Sequence, residues 1–146
     1  MALSKGSATN IMETTTKNFE YFTKECKYWI DRFQLREWEF RFTHRNHKKL
    51  SDSLAWYEYN WEGRLAEIGL STNWDKTNTT KYHLSKSAFH EVCEILLANL
   101  ESTARMDICP SQIHELIACK HSVIRRMEWA IWEPYYAKNN RRNEHP

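Results

Sequence analysis

Phe19, Phe22, Cys26, Trp29, Ile30 and Phe33 recur at offsets 0, 3, 7, 10, 11 and 14, the period of one helical face. That spacing predicts a first helix over residues 17–35. The period then drops to two. Trp38, Phe40 and Phe42 alternate with Glu37, Glu39 and Arg41, which predicts a half-buried strand. A second strand is expected over residues 53–60, with Ala55, Tyr57 and Tyr59 on one face. The turn chemistry of Asn60-Trp61-Glu62-Gly63 follows, with Gly63 the residue free to take positive φ. Ala66, Ile68 and Leu70 then alternate in a third strand, which forms a hairpin with the second. Residues 71–82 read as a polar loop.

Helical spacing returns with Phe89, Val92, Cys93, Leu96 and Leu100, with Ser85 as the expected N-cap and Leu84 stapled onto Phe89. Pro110-Ser111 opens a last helix on which Ile113, Leu116, Ile117, Val123, Ile124, Met127 and Ile131 face one way, and Pro134 is expected to end it. The order α-β-β-β-α-α predicts an α+β domain over residues 17–134, a small antiparallel sheet of about three strands packed with three helices. Trp38, Phe40, Phe42, Ile68 and Leu70 are expected to pack against Phe89, Val92, Leu96 and the Ile124/Met127 face. The polar residues 1–16 read as a disordered leader and residues 135–146 as a polar, basic tail.

Composition narrows the class. The 146 residues suit one domain, and three Gly and three Pro exclude collagen-like and linker-rich chains. Seven Trp, seven Tyr and six Phe supply a firm core for a small chain. A net charge of +2 is too balanced to call for nucleic acid or a membrane. Cys26, Cys93, Cys109 and Cys119 form no C-x-x-C pair, and neither a signal-like apolar run nor a stretch of membrane-spanning length is visible. A reducing, cytoplasmic setting is the expectation.

The chemistry gathers at Phe89-His90-Glu91-Val92-Cys93-Glu94. His90 and Glu94 are four apart, so on a helix both side chains leave one face a turn apart, as two ligands of one metal require. A third ligand must come from elsewhere. His114, His121 and Glu128 share a stripe of the last helix at seven-residue spacing, beside its apolar face. His121 is preferred to the alternative His114, which lies only about a turn into the helix, and Glu128 is a candidate partner behind a ligating imidazole.

With its leading helix, the strand Glu37-Trp38-Glu39-Phe40, the hairpin ending Ile68-Gly69-Leu70-Ser71 and the apolar-flanked His90-Glu91 helix, the chain resembles the zincin-like metallopeptidases, particularly the compact SprT-like group and small phage-encoded relatives. The resemblance covers residues 18–133. Glu94 stands where that family has its second His, giving H-E-x-x-E. His121, followed by Ser122-Val123-Ile124-Arg125-Arg126, resembles a His of the corresponding helix in the phage relatives. The resemblance implies zinc, or another divalent metal, on His90, Glu94 and His121, with Glu91 activating water and a peptide lying along an edge strand.

Two other readings compete. The fold without turnover would be a phage-type interaction or inhibitor protein, engaging a protein or peptide through Trp56, Tyr57, Tyr59 and Trp61. Alternatively, a metal would serve only to join helices. The basic loop holding Arg41, His44, Arg45, His47, Lys48 and Lys49, with the tail Lys138, Arg141 and Arg142, gives a weak hint of nucleic acid.

Overall fold

The computed structural model describes residues 12–46, 53–74 and 79–141. In chain order the elements are β1 (Met12–Glu13), α1 (Thr16–Arg32), β2 (Glu39–His44), β3 (Ala55–Asn60), β4 (Leu65–Leu70), β5 (Asn73–Trp74), α2 (Lys81–Leu96) and α3 (Ala98–Asp107). A 3-10 turn at Pro110–Gln112 leads into α4 (Ile113–Met127), which runs through a π-helical segment, Glu128–Trp132, into α5 (Glu133–Arg141). This is an α+β fold.

β4 lies at the centre of a three-stranded sheet, order β2-β4-β3. It pairs antiparallel with β3 and parallel with β2. The sheet is therefore mixed, where an antiparallel one was expected. β4 takes the place between β2 and β3, so β2 pairs in parallel with β4 instead of antiparallel with β3. Along the core-facing side Phe40, Phe42, Ala66, Ile68 and Leu70 join Ala55, Tyr57 and Tyr59, in keeping with the period-two pattern. Ile68 and Leu70 are fully buried and Trp38 is buried, whereas Phe40 and Phe42 stay half-buried at the β2 edge.

α1 and α2 cover this face. Phe22, Cys26 and Trp29 of α1 are buried, and the Trp29 ring meets Phe89 of α2 edge-on, with centroids 4.7 Å apart. Thr15 caps α1 through a reciprocal pair of bonds with Asn18. The helix stops three residues short of the predicted end. Gln34 takes φ 55°, and the Leu35 and Gln34 amides donate back to the Ile30 and Asp31 carbonyls, a Schellman ending. In the β3–β4 turn positive φ falls on Arg64 (52°), and Gly63 keeps negative φ while its amide donates to Asn60 Oδ1.

Several boundaries differ from expectation. Part of the expected leader is ordered: β1 pairs with β5, and buried Thr14 donates to the Ser71 carbonyl. α2 begins at Lys81 under the Thr80 cap, so Ser85 is no N-cap but a buried residue inside the helix. Ser85 donates to Glu25 Oε2 and accepts from the Trp132 indole. A break at Leu97 separates α3 from α2 and leaves Leu100 exposed. Pro134 does not end the last helix, because the widened π turn ahead of it accommodates the missing donor and the ring. Residues 135–141 of the expected tail are consequently helical, and Tyr135 and Tyr136 pack on the core. The π segment also turns the face by one position, burying Trp132 and exposing Ile131.

Candidate metal centre

α2 and α4 cross beside the edge of β3 that carries no partner strand among the described residues, and with α3 they line a cavity of about 330 Å³. His90, Glu91 and Glu94 line it from α2, Lys120 and His121 from α4, Glu101 and Arg105 from α3, and Ala55 and Tyr57 from β3.

Three ligand-type side chains meet there. One ligand atom each of His90, Glu94 and His121 falls within a mutual 4.8 Å. His121 Nε2 lies 2.9 Å and His90 Nε2 3.5 Å from Glu94 Oε1, so one oxygen faces both imidazoles. The other ring nitrogen of His90, Nδ1, bonds Glu128 Oε1 at 2.9 Å. Glu128 opens the π segment, whose extra backbone width carries it inward to a buried position, with Lys86 3.5 Å from its second oxygen. Glu128 thus holds His90, where the helix stripe suggested His121 as its neighbour. His114 stays apart. It is exposed in the first turn of α4, and seven residues of helix separate it from His121 by roughly 10 Å.

The charges are strongly coupled. Burial depresses the His90 imidazolium, but hydrogen bonds to Glu128 and Glu94 and the charges of Glu91 and Glu94 outweigh it, raising the pKa to about 10. Burial pushes Glu94 up, yet His90 and Lys120 together bring it down to about 2. Glu128 is lowered the same way, by His90 and Lys86 against its burial. Glu91 moves oppositely. Burial dominates and lifts it to about 7, only partly offset by the charge of His90. A carboxyl that exchanges its proton near neutrality suits acid–base work.

Lys120 was not among the sequence candidates. It is buried and contacts Glu94 Oε2 at 2.5 Å, Glu101 Oε2 at 2.6 Å and the Tyr57 hydroxyl at 2.9 Å. Its signal was present: Ile113, Ile117, Lys120, Ile124 and Met127 share one helical stripe, and a lysine in that row needs buried partners.

The hairpin aromatics do not form an open patch. Trp56 is buried on the far side of the sheet, flat against Gly69 with Arg45 over its ring. Tyr57 takes the Lys120 bond, Tyr59 pairs with Ser102, and Trp61 stacks under Arg64. Of the basic loop, Arg41 and Arg45 pair with Glu39 and Glu67, while His44 stacks on Phe19 and bonds Thr14. His47, Lys48, Lys49 and Arg142 lie outside the described residues, as does most of the expected leader. No helix among the described residues is long and apolar enough to cross a membrane. Compared with family models, with curated proteins and with solved structures, the chain matches none.

Proposed function

We propose that this chain is a zinc-dependent peptidase of the zincin-like kind, with His90, Glu94 and His121 as ligands and Glu91 as the proton-transferring base. One observation carries the reading: three ligand atoms from two crossing helices converge while the spare nitrogen of one ligand is already held by a buried carboxylate. Ligating histidines have that second bond, because it sets tautomer and ring orientation. Two imidazoles and a carboxylate are a donor set of catalytic zinc.

A bound divalent cation supplies Lewis acidity toward a water and toward a peptide carbonyl. Glu91 takes the water's proton on its carboxylate and returns it to the leaving amine. Glu128 holds the His90 ring through this. The substrate lies along β3. The Ser71 amide donates to the Leu54 carbonyl, so residues 54, 56, 58 and 60 bond toward β4, and the backbone groups of Ala55, Tyr57 and Tyr59 face the edge that has no partner strand among the described residues. The Ala55 carbonyl already accepts from Ser53. An extended peptide joins the remaining groups as an added strand.

Elemental analysis after purification without chelator should give one zinc per chain, lost in His90→Ala. Glu91→Gln should keep the zinc and lose cleavage of an unfolded protein such as casein by about 100-fold or more. A chain that binds no zinc under any loading condition overturns the reading. Zinc retained with cleavage unaffected by Glu91→Gln removes the glutamate from the chemistry. Zinc without cleavage in the unaltered chain favours a metal that serves only to join the helices.

A further inference from the structure

One ammonium group ties together four elements that wall the cavity. Lys120 projects from α4, Glu94 from α2, Glu101 from α3 and Tyr57 from β3. Two of the ammonium's three N–H groups bond Glu101 Oε2 and the Tyr57 hydroxyl, and the nitrogen makes an ion pair with Glu94 Oε2 at 2.5 Å. Glu101 is itself fixed by Arg105, which donates to its other oxygen from Nε and Nη2 at 2.9 and 2.7 Å. The ammonium is therefore aimed by a second ion pair and has little freedom to leave Glu94.

Stability alone does not explain this arrangement. A buried ion pair is often no better than apolar residues of similar volume, and an apolar residue would complete the α4 stripe. Its effect on Glu94 is more specific. A carboxylate can bind a cation through one oxygen or chelate it through both. With Oε2 occupied by Lys120, only Oε1 remains, and Oε1 is the atom that faces His121 and His90.

We infer that Lys120 is a positioning residue of the metal centre, pinning one oxygen of Glu94 so that the other serves as a single-oxygen ligand beside His90 and His121. The inference rests on the metal reading above. It implies a centre with three protein donor atoms and a coordination position left for water. It also sets the ligand helix in register with the β3 edge, because the same ammonium bonds Tyr57.

Cobalt(II) tests this in the full chain, since its visible absorption is intense in four-coordination and weaker in five. Zinc affinity is measured alongside by competition with a chromophoric chelator. The unaltered chain should give the intense spectrum. Lys120→Met and Lys120→Gln should shift it toward the weaker one and bind zinc about 10- to 100-fold less tightly, with circular dichroism unchanged. Glu101→Gln leaves Glu94 and Lys120 intact but loosens the aim of the ammonium, so it should move both readouts the same way by a smaller amount, whether or not the lysine variants fold. Unaltered spectrum and affinity in the variants that fold overturn the positioning role and leave the metal reading standing. An unaltered chain that takes up neither cobalt nor zinc overturns both.

Discussion

Glu91 and His90 are chain neighbours whose protons respond to pH in different windows, and each makes a distinct prediction. The Glu91 carboxyl is lifted from its ordinary 4.5 to about 7, mainly by burial. The folded state therefore holds this proton more tightly than the unfolded state, and the site loses stability as pH rises from 4.5 through 7. Glu91→Gln removes that cost. Urea titrations of metal-free protein should show a gain of up to about 3 kcal/mol at pH 8 and little change at pH 4. An equal shift at both pH values would sink the assignment. His90 must shed a proton to bind a cation, and carboxylates hold that proton up to about 10. Zinc affinity should consequently rise about tenfold per pH unit through neutrality, measured by competition titration. A flat profile would contradict the environment described for His90.

At the scale of elements, two backbone positions make sharp tests. Gln34 occupies the left-handed region at the end of α1 and is exposed, and its side chain donates to the Asp31 carbonyl. Glycine relieves the steric cost of that conformation but loses the bond. Gln34→Gly should raise stability by up to about 1 kcal/mol, read from chemical denaturation. Gly69 is the opposite case, because an added Cβ would sit 2.0 Å from the Trp56 ring. Gly69→Ala should destabilise by about 1–3 kcal/mol through that clash. Much of the element pattern was legible, since helix and strand periods depend on neighbours close in sequence. His90 and Glu94 were legible by helical spacing; the stripe offered His114 and His121 alike, and depth in the helix with the family resemblance favoured His121. The π segment was not, because one extra residue in a turn leaves the apolar period intact on either side: Ile131 reads as core, while Trp132 occupies it. The parallel pairing of β2 was equally hidden, since the side of β3 that β4 takes depends on tertiary contacts that no local pattern encodes. Lys120 was overlooked for a simpler reason. A lone lysine in an apolar stripe gains meaning only when its partners on three other elements are known.

Across the whole molecule the site couples stability to pH and to metal. Glu94 is held at about 2, so its contribution is present above 4.5 and lost as pH falls through 2. The His90 contribution is present below 6.5 and lost as pH rises through about 10. With Glu91 added, these groups give metal-free protein its greatest stability near pH 4–5, falling on either side. Zinc should reverse the alkaline decline, adding about 2.7 kcal/mol at a free concentration one hundred times its dissociation constant. Thermal melts at pH 5 and pH 8, with and without zinc, measure both effects. Equal zinc stabilisation at the two pH values would separate the metal from His90. The central place of β4 has a kinetic consequence as well. β3 and β4 meet through a four-residue turn, whereas β2 must wait for β4 to return alongside β3 before it has an edge to join. Loop closure favours the short connection, so the hairpin is expected to form in the rate-limiting ensemble, with β2 docking afterwards. Loosening the turn at Arg64, which also bonds Asn99 of α3, should slow refolding in stopped-flow measurements, while trimming Phe40 or Phe42 should chiefly hasten unfolding. Until β2 docks, both edges of the nascent hairpin stand open, and the interval between those two events is when this chain is most exposed to pairing with another copy of itself.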